Sequence, residues 1–359
     1  MTRVACLTAG LDECYGISVS QATKQTARDI ARFCLDMGFQ VFYIDKCKPM
    51  SFIKTSLLSL IKMVLGFDYL VVPYPLFGNP LLRSAFFEHL LISLLGSTAK
   101  IILYVYDTPL DQLLVMETNN KPKEIPTFHI IPFKKSHRIL CFNHLMRELI
   151  KGRYNLPTDK FLVFELLDYG SDVQPGINLD KYSDMNEVYI VYVASSYLHH
   201  RTKDAVLNFV QQAPYTKWMR YVFLGSQGWF LRELKECGRY DIIYAGEIVG
   251  NKYIKFLLNM HFGLMLKISS YNEYGSTSKF SSYMMAGLPV FVPKSYKYLS
   301  QIVDRYKVGM VYGIPSEIPS LIESSSPKEI KEMALNAYRL GLKLHKGMFF
   351  KKTIISALK

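Results

Sequence analysis

Short, continuous apolar runs separated by polar, glycine-containing turns recur along the chain, and they fall into two series. In the first half they occupy 4–8, 39–44, 69–73, 100–106, 138–142 and 161–165. Strands that are apolar at successive positions are buried on both faces, as in a parallel sheet. Between them lie helix-like stretches. The clearest runs over 19–37, with Ala22, Ile30, Phe33, Cys34 and Met37 on one face and Gly38 just past its end. After Tyr169 the polar stretch GSDVQPGINLDKYSDMN lacks either period and reads as a linker. A second series then predicts strands at 188–193, 221–224, 242–244, 262–266, 289–292 and 309–312, with helices near 203–213, 229–237, 251–260 and 279–286. A final helix, about 327–346, has no strand after it.

This alternation predicts an α/β protein of two tandem Rossmann-like doubly wound parallel-sheet domains. The division expected is 1–172 for the first domain, 173–326 for the second, and 327–359 for a C-terminal helix. At 359 residues the chain has room for two ordinary cores. Half of its residues are hydrophobic and 14% aromatic, too apolar for disorder. The start, MTRVACLTAG, reads as a first buried strand rather than a signal peptide. No apolar run approaches the roughly 20 residues of a membrane-spanning helix. Six cysteines form no CxxC pair or disulfide framework and read as small buried hydrophobes, so a cytoplasmic location is expected.

Charge sharpens the picture. The formal net charge is +13, and two windows carry most of it: 121–160 holds nine Lys/Arg against three Asp/Glu, and 327–359 eight against two. A basic balance favours anionic partners such as nucleotide diphosphates, a phospholipid surface or nucleic acid. Residues 53–65, IKTSLLSLIKMVL, place Ile53, Leu57, Leu58, Ile61, Val64 and Leu65 at helical spacing, with Lys54 and Lys62 off that stripe. Such a helix packs into a core or lies in an anionic headgroup layer, peripheral on the inner membrane surface.

Ligands of doubly wound sheets bind beyond the carboxyl ends of the strands, so the loops that follow strands are where chemistry is sought. The most informative is YNEYGSTSKFSSYMMAGLPVFV, 271–292. Ser276, Thr277 and Ser278 stand where a helix begins, and backbone N–H groups, hydroxyls and the positive end of the helix dipole together suit a diphosphate. Lys279 adds a point charge. SSYLHHRTKD, 195–204, follows the first strand of the second series and by itself reads as a solvated basic loop. His199 and His200 have no Asp, Glu or Cys partner at metal-ligand spacing. Gly246 follows a strand, where backbone can approach a nucleobase. Gly16-Ile17-Ser18 leads into the first helix without the GxGxxG of a dinucleotide site. Asp107 follows the strand 100–106 and is either a turn cap or a general base for an acceptor hydroxyl.

Tyr271, Lys279, Ser281, Tyr283, Ala286, Gly287, Pro289 and Val290 match a segment of the form Y-x-x-x-N-x-x-K-x-S-x-Y-x-A-A-G-x-P-V. By these residues the chain resembles GT-B glycosyltransferases, most closely the bacterial galactofuranosyltransferase-like and protein-O-glycan glucosyltransferase group. IILYVYDTPL at 101–110 and FELLDYGSD at 164–172 fall where that group has its acceptor-side loop and domain crossover. The resemblance implies that the first domain faces an acceptor, the second binds a nucleotide diphosphate-sugar, and the C-terminal helix returns to the first domain. It also implies Tyr271, Glu273 and the hydroxyls of 276–278 as donor contacts. Gly16-Ile17-Ser18 resembles the glycine-containing loop that faces the donor in GT-B enzymes, which implies Gly16 and Ser18 as candidates there. The stretch 195–204 resembles the loop where GT-B enzymes balance a leaving diphosphate, so beside its solvated reading it is one whose Arg201 and Lys203 stabilise that charge. Where many retaining members carry a ribose-binding Glu, this chain has Ser282, while Glu273 retains one carboxylate of the usual pair.

The function expected is therefore hexosyl transfer from a nucleotide sugar, as co-substrate, to a glycan, lipid-linked sugar or glycoprotein. No cofactor is expected, and no metal, because the chain has no Asp-x-Asp motif to hold a cation. Two alternatives share some of these features. A non-hydrolysing sugar-nucleotide epimerase has the same architecture, and a basic nucleic-acid-binding protein fits the charge, although no aromatic-interleaved basic motif is present and nucleic acid is not expected as a partner.

Overall fold

Each of the twelve apolar runs forms a parallel strand in the computed structural model, which describes residues 2–9, 21–44, 66–74, 92–93, 95–96, 98–105, 130–197, 200–236, 238–268 and 277–359. The chain divides into two compact units, Met1–Gly170 together with Gly347–Lys359, and Ser171–Lys346.

The first unit contains β1 (Val4–Ala9), α1 (Gln21–Asp36), β2 (Gln40–Ile44), β3 (Tyr69–Tyr74), β4 (Lys100–Val105), α2 (Ile131–Lys135), β5 (Arg138–Cys141), α3 (His144–Tyr154) and β6 (Phe161–Val163). Its sheet order is β2-β1-β3-β4-β5-β6. All six residues of β3 are buried, and so are the last five of β4, which is why these strands appear in the sequence as unbroken apolar runs. Helix α1 buries Ile30, Phe33 and Cys34, one stripe of the periodicity that predicted it.

The second unit contains β7 (Val188–Ser196), α4 (His200–Gln212), β8 (Met219–Ser226), α5 (Phe230–Glu236), β9 (Ile242–Gly246), α6 (Asn251–Leu257), β10 (Phe262–Leu264), α7 (Ser278–Met285), β11 (Val290–Pro293), α8 (Lys297–Tyr306), β12 (Gly309–Tyr312), α9 (Ile318–Glu323) and α10 (Pro327–His345). The sheet order is β12-β11-β10-β7-β8-β9, again parallel throughout. One core cluster joins Ile190 and Tyr192 of β7 and Phe262 and Leu264 of β10 to Val206, Phe209 and Val210 of α4. Side chains alternate along a strand, so Gly263 of β10 faces the other way, and there the ring of Tyr283 of α7 lies against it. A Cβ at Gly263 would stand 2.5 Å from that ring. Helices thus cover both faces, as the doubly wound expectation requires.

The segment 327–359 divides between the units. Ser326 and Glu329 form a reciprocal capping box that starts α10, with Pro327 in its first turn. Its residue Gly341 packs directly on the backbone of Met284 in α7, so α10 belongs to the second unit. Gly347 then breaks the helix at φ +67, and a side chain there would stand 2.4 Å from the Phe33 ring. Beyond it, α11 (Met348–Ala357) packs in the first unit. It is held by Asp168, whose Oδ2 accepts the N–H of Phe350 at 2.6 Å, and by a Lys351–Asp36 ion pair of 2.9 Å. The expectation of one returning helix is therefore corrected to two, of which only the second returns.

Candidate functional site

The order of the second sheet reverses direction at β7 and β10. From this pair the chain winds outward through β8 and β9 on one side and through β11 and β12 on the other. The strands pair only through Ile190 with Phe262 and Val191 with Gly263. Beyond that the following loops part, one toward α4 and one toward α7, and a crevice at such a reversal is the usual ligand position in this class of sheet. The two stretches singled out from the sequence, 195–204 and 271–292, lead on from β7 and β10 along the chain.

Tyr283 seals the divergence. Its hydroxyl accepts the N–H of Val193 at 3.2 Å and lies 3.1 Å from the carbonyl of Val191 and 3.2 Å from that of Leu264, which share its single proton. Helix α7 begins at Thr277, whose Oγ1 accepts the N–H of Phe280 at 3.4 Å as an N-cap. The N–H groups of Ser278 and Lys279 precede the first intrahelical bond and remain donors at the positive end of the helix.

Lys279 is the distinctive side chain of this region. Its Nζ donates to the hydroxyl of Tyr192 at 3.2 Å and lies 4.6 Å from the centroid of that ring. Burial of the amine lowers its pKa from the ordinary lysine value to about 8, and among the described residues no carboxylate offsets this. The result is a largely protonated ammonium on a half-buried side chain, with no anionic partner among the described residues at neutral pH.

Other candidates are placed differently. Arg201 lies half-buried in the first turn of α4, directly after β7. Lys203 lies two residues on, with its ammonium over the rings of Trp229 at 5.9 Å and Phe230 at 5.3 Å, so it faces the start of α5. Gly246 ends β9, two strands from β7 at the sheet edge, with open space around its α-carbon. Ser282 is buried in the α6–α7 junction. Its Oγ donates to the carbonyl of Lys279 at 2.8 Å and lies 2.7 Å from the hydroxyl of Tyr253, which leaves that group occupied inside the protein. Gly16, Ser18, Asp107, Tyr271, Glu273 and Ser276 lie outside the described residues, as does His199. Among the described residues no group of His, Cys, Asp and Glu is placed to hold a metal ion.

The sequence reading missed what the tyrosines that build this end of the sheet do there, although it matched Tyr283 in the motif. Besides Tyr192 and Tyr283, the hydroxyl of Tyr244 accepts the N–H of Gly228 and donates to the carbonyl of Gly225, pinning the stretch Gly225–Gly228 at the end of β8. Gly225 has φ +146, and a Cβ there would stand 2.3 Å from the carbonyl oxygen of Ala194 on the neighbouring strand. The signal was present as GSQG directly after a strand.

Solved structures share this architecture over their whole length. The lipopolysaccharide outer core galactosyltransferase WaaB aligns with a TM-score of 0.62 at 11% identity, covering 99% of each chain. Anabaena HepE in complex with UDP aligns at 0.57 and 9% identity, also covering 99% of each. An alpha-glucosyltransferase in complex with UDP aligns at 0.58 and 12% identity, covering 100% of each. The N-terminal domain of Candida albicans trehalose-6-phosphate phosphatase has a similar shape, TM-score 0.59, 9% identity, covering 99% of this chain and 97% of that one. Such likeness establishes the fold, that of GT-B proteins. The activity class comes from the sequence: residues 236–357 match the model of the family "Glucosyltransferase 3-like, C-terminal domain". A comparison by sequence with curated proteins finds no match. With the two-sheet fold, the family match makes the chain a nucleotide-sugar-dependent glycosyltransferase of GT-B architecture.

Proposed function

We propose that the chain moves a hexosyl group from a nucleoside diphosphate-sugar to a hydroxyl of a glycan, a lipid-linked sugar or a glycoprotein, with the donor's diphosphate at the carboxyl ends of β7 and β10. The observation that carries this is Lys279, a half-buried cation uncompensated among the described residues, at the start of a helix whose first N–H groups are donors. As the glycosidic C–O bond breaks, negative charge grows on the leaving phosphate oxygen. Donors and cations already fixed around that oxygen lower the barrier without reorganising. Lys279 supplies a full charge, the N–H groups of Ser278 and Lys279 supply partial ones, and Arg201 at the start of α4 is assigned to the same charge. Thr277 and Ser278 border the diphosphate, while Gly246 and Lys203 lie toward the nucleoside end. Asp107 is the proposed base for the acceptor hydroxyl, and Gly16, Ser18, Tyr271, Glu273 and Ser276 are retained as donor contacts. Ser282 is assigned to the helix junction instead.

Uridine diphosphate is the donor moiety to test first, because two of the similar structures hold UDP. The reaction is proposed to run without a metal ion, the charge of Lys279 taking the part of a cation in a chain with no Asp-x-Asp motif. The test is calorimetric titration with UDP followed by transfer assays with a panel of UDP-hexoses. Lys279→Ala should lower turnover on the order of tenfold to a thousandfold. Turnover of that variant equal to the parent's, with UDP affinity unchanged, removes the donor site from this end of the sheet.

A further inference from the structure

We propose that Tyr192 is a positioning residue of the donor site, holding the Lys279 ammonium by its ring face and hydroxyl so that the charge is aimed but left unneutralised for the diphosphate. This rests on the donor-site reading above.

Tyr192 is fully buried in β7, braced by Tyr197 at 6.5 Å and Phe223 at 6.2 Å between ring centroids. The ring is therefore fixed before Lys279 meets it. Among the described residues, the titratable groups coupled to one another around Tyr192 are phenols: Tyr192 itself, Tyr197 in the loop after β7, Tyr253 of α6, Tyr283 of α7 and Tyr312 of β12. Burial raises the pKa of each. None of them carries negative charge near neutrality. Glu273 lies outside the described residues.

That choice of partner has a chemical consequence. A carboxylate in the place of Tyr192 would fix the lysine equally well, but it would cancel the positive charge and repel an incoming diphosphate. A phenol accepts one hydrogen bond and offers a π face, so it orients the ammonium without discharging it. Because the same burial favours the neutral amine, donor binding and protonation of Lys279 are linked. Affinity is full while the amine is charged and falls as pH rises through about 8.

Tyr192→Phe keeps the ring and removes the acceptor. Losing a hydrogen bond to a charged group should lower the Lys279 midpoint by about one to two pH units. The first measurement is an NMR titration of the lysine 13Cε signals without nucleotide, with the Lys279 signal identified by its loss in Lys279→Arg. The second is the UDP dissociation constant from pH 5.5 to 9. The ratio of Tyr192→Phe to parent should be close to one at pH 5.5 and about five- to fiftyfold at pH 8, as a midpoint moved by that much requires. Placing Lys279→Arg in the Tyr192→Phe background should make the ratio independent of pH, since a guanidinium stays charged. An unshifted Lys279 titration in Tyr192→Phe overturns the positioning role, whether or not UDP binds. A ratio that is constant with pH overturns the link to the donor. A shifted titration in a protein that binds UDP at no pH overturns the donor-site reading and, with it, this role.

Discussion

Gly341→Ala sets two effects of opposite sign against each other, and the structure decides between them. Alanine is a better helix former than glycine by about 1 kcal/mol in a helix interior, so a free surface would make the change stabilising. Gly341 is instead the point at which α10 meets the last turn of α7. A Cβ there would stand 2.3 Å from the carbonyl oxygen of Met284, 2.7 Å from its carbon and 3.0 Å from the nitrogen of Met285. These are backbone atoms, so no rotamer change relieves the overlap, and the two helices must part by about 1 Å. Overpacking of this kind costs about 1–3 kcal/mol, and the upper end applies where backbone has to move. The net loss is about 2 kcal/mol. With a urea dependence of about 2 kcal/mol/M, the unfolding midpoint of the second unit should fall by about 1 M. Both tryptophans, Trp218 and Trp229, lie in that unit, so their fluorescence follows its unfolding alone. Gly152 of α3 is the control, because a Cβ there meets nothing within 4 Å. Gly152→Ala should be neutral or stabilising by up to about 1 kcal/mol when the first unit is followed by far-UV circular dichroism. A Gly341→Ala midpoint equal to or above the parent's would refute the reasoning.

Four further outcomes are expected. Burial raises the pKa of Asp168 in the folded state, so the stability its protonated form contributes is present below about pH 4 and lost as pH rises through the folded value; thermal unfolding of the first unit should lose this dependence in Asp168→Asn, and parallel curves for the two proteins would count against it. Burial lowers the pKa of His261 to about 4, so its contribution is complete above about pH 6.5 and lost as pH falls toward 4; the acid limb of the second unit's stability should flatten in His261→Gln. Transfer should continue in EDTA, and loss of activity that Mn²⁺ or Mg²⁺ restores would end the metal-free proposal. Vesicle co-sedimentation should show salt-sensitive binding to anionic liposomes and none to neutral ones, because each Lys or Arg near such a surface contributes about 1 kcal/mol; equal recovery from both supernatants contradicts a membrane-surface role.

The strands were legible because burial on both faces leaves no competing pattern. The run at 309–312 is matched by Gly309–Tyr312, and 188–193 lies within Val188–Ser196. Helix α8 was not read, since KYLSQIVDRY sits between two strand signals and has no capping side chain to announce it. Helix α11 went unread because 327–359 looks like one continuous helix until the conformation of Gly347 is known. In the site, Thr277 and Lys279 were accessible to sequence reasoning, for they stand in a loop after a strand and at a helix start. Tyr192 and Tyr253 were not, and Tyr283 was matched in the motif without the destination of its hydroxyl. A tyrosine in an apolar run is ordinary core by pattern, and the destination of its hydroxyl depends on which distant strand or helix folding brings beside it. Ser282 shows the converse: its place in the motif pointed to a ligand, while its neighbours Tyr253 and Lys279 take up its hydrogen bonds.

The return of α11 gives the molecule an order of assembly. Residues 2–170 leave the ribosome before the second unit, yet the carboxylate of Asp168 and the ring of Phe33 find partners in 347–359. Until that stretch emerges, the earlier sheet holds an acid group poised for burial without its N–H donors. Completion of the first unit is thus postponed until 347–359 has been made, after the second unit has had time to fold by itself. A stop codon anywhere in 171–346 would leave both halves unfinished, and a chain ending at 346 would test whether the second can stand without the first.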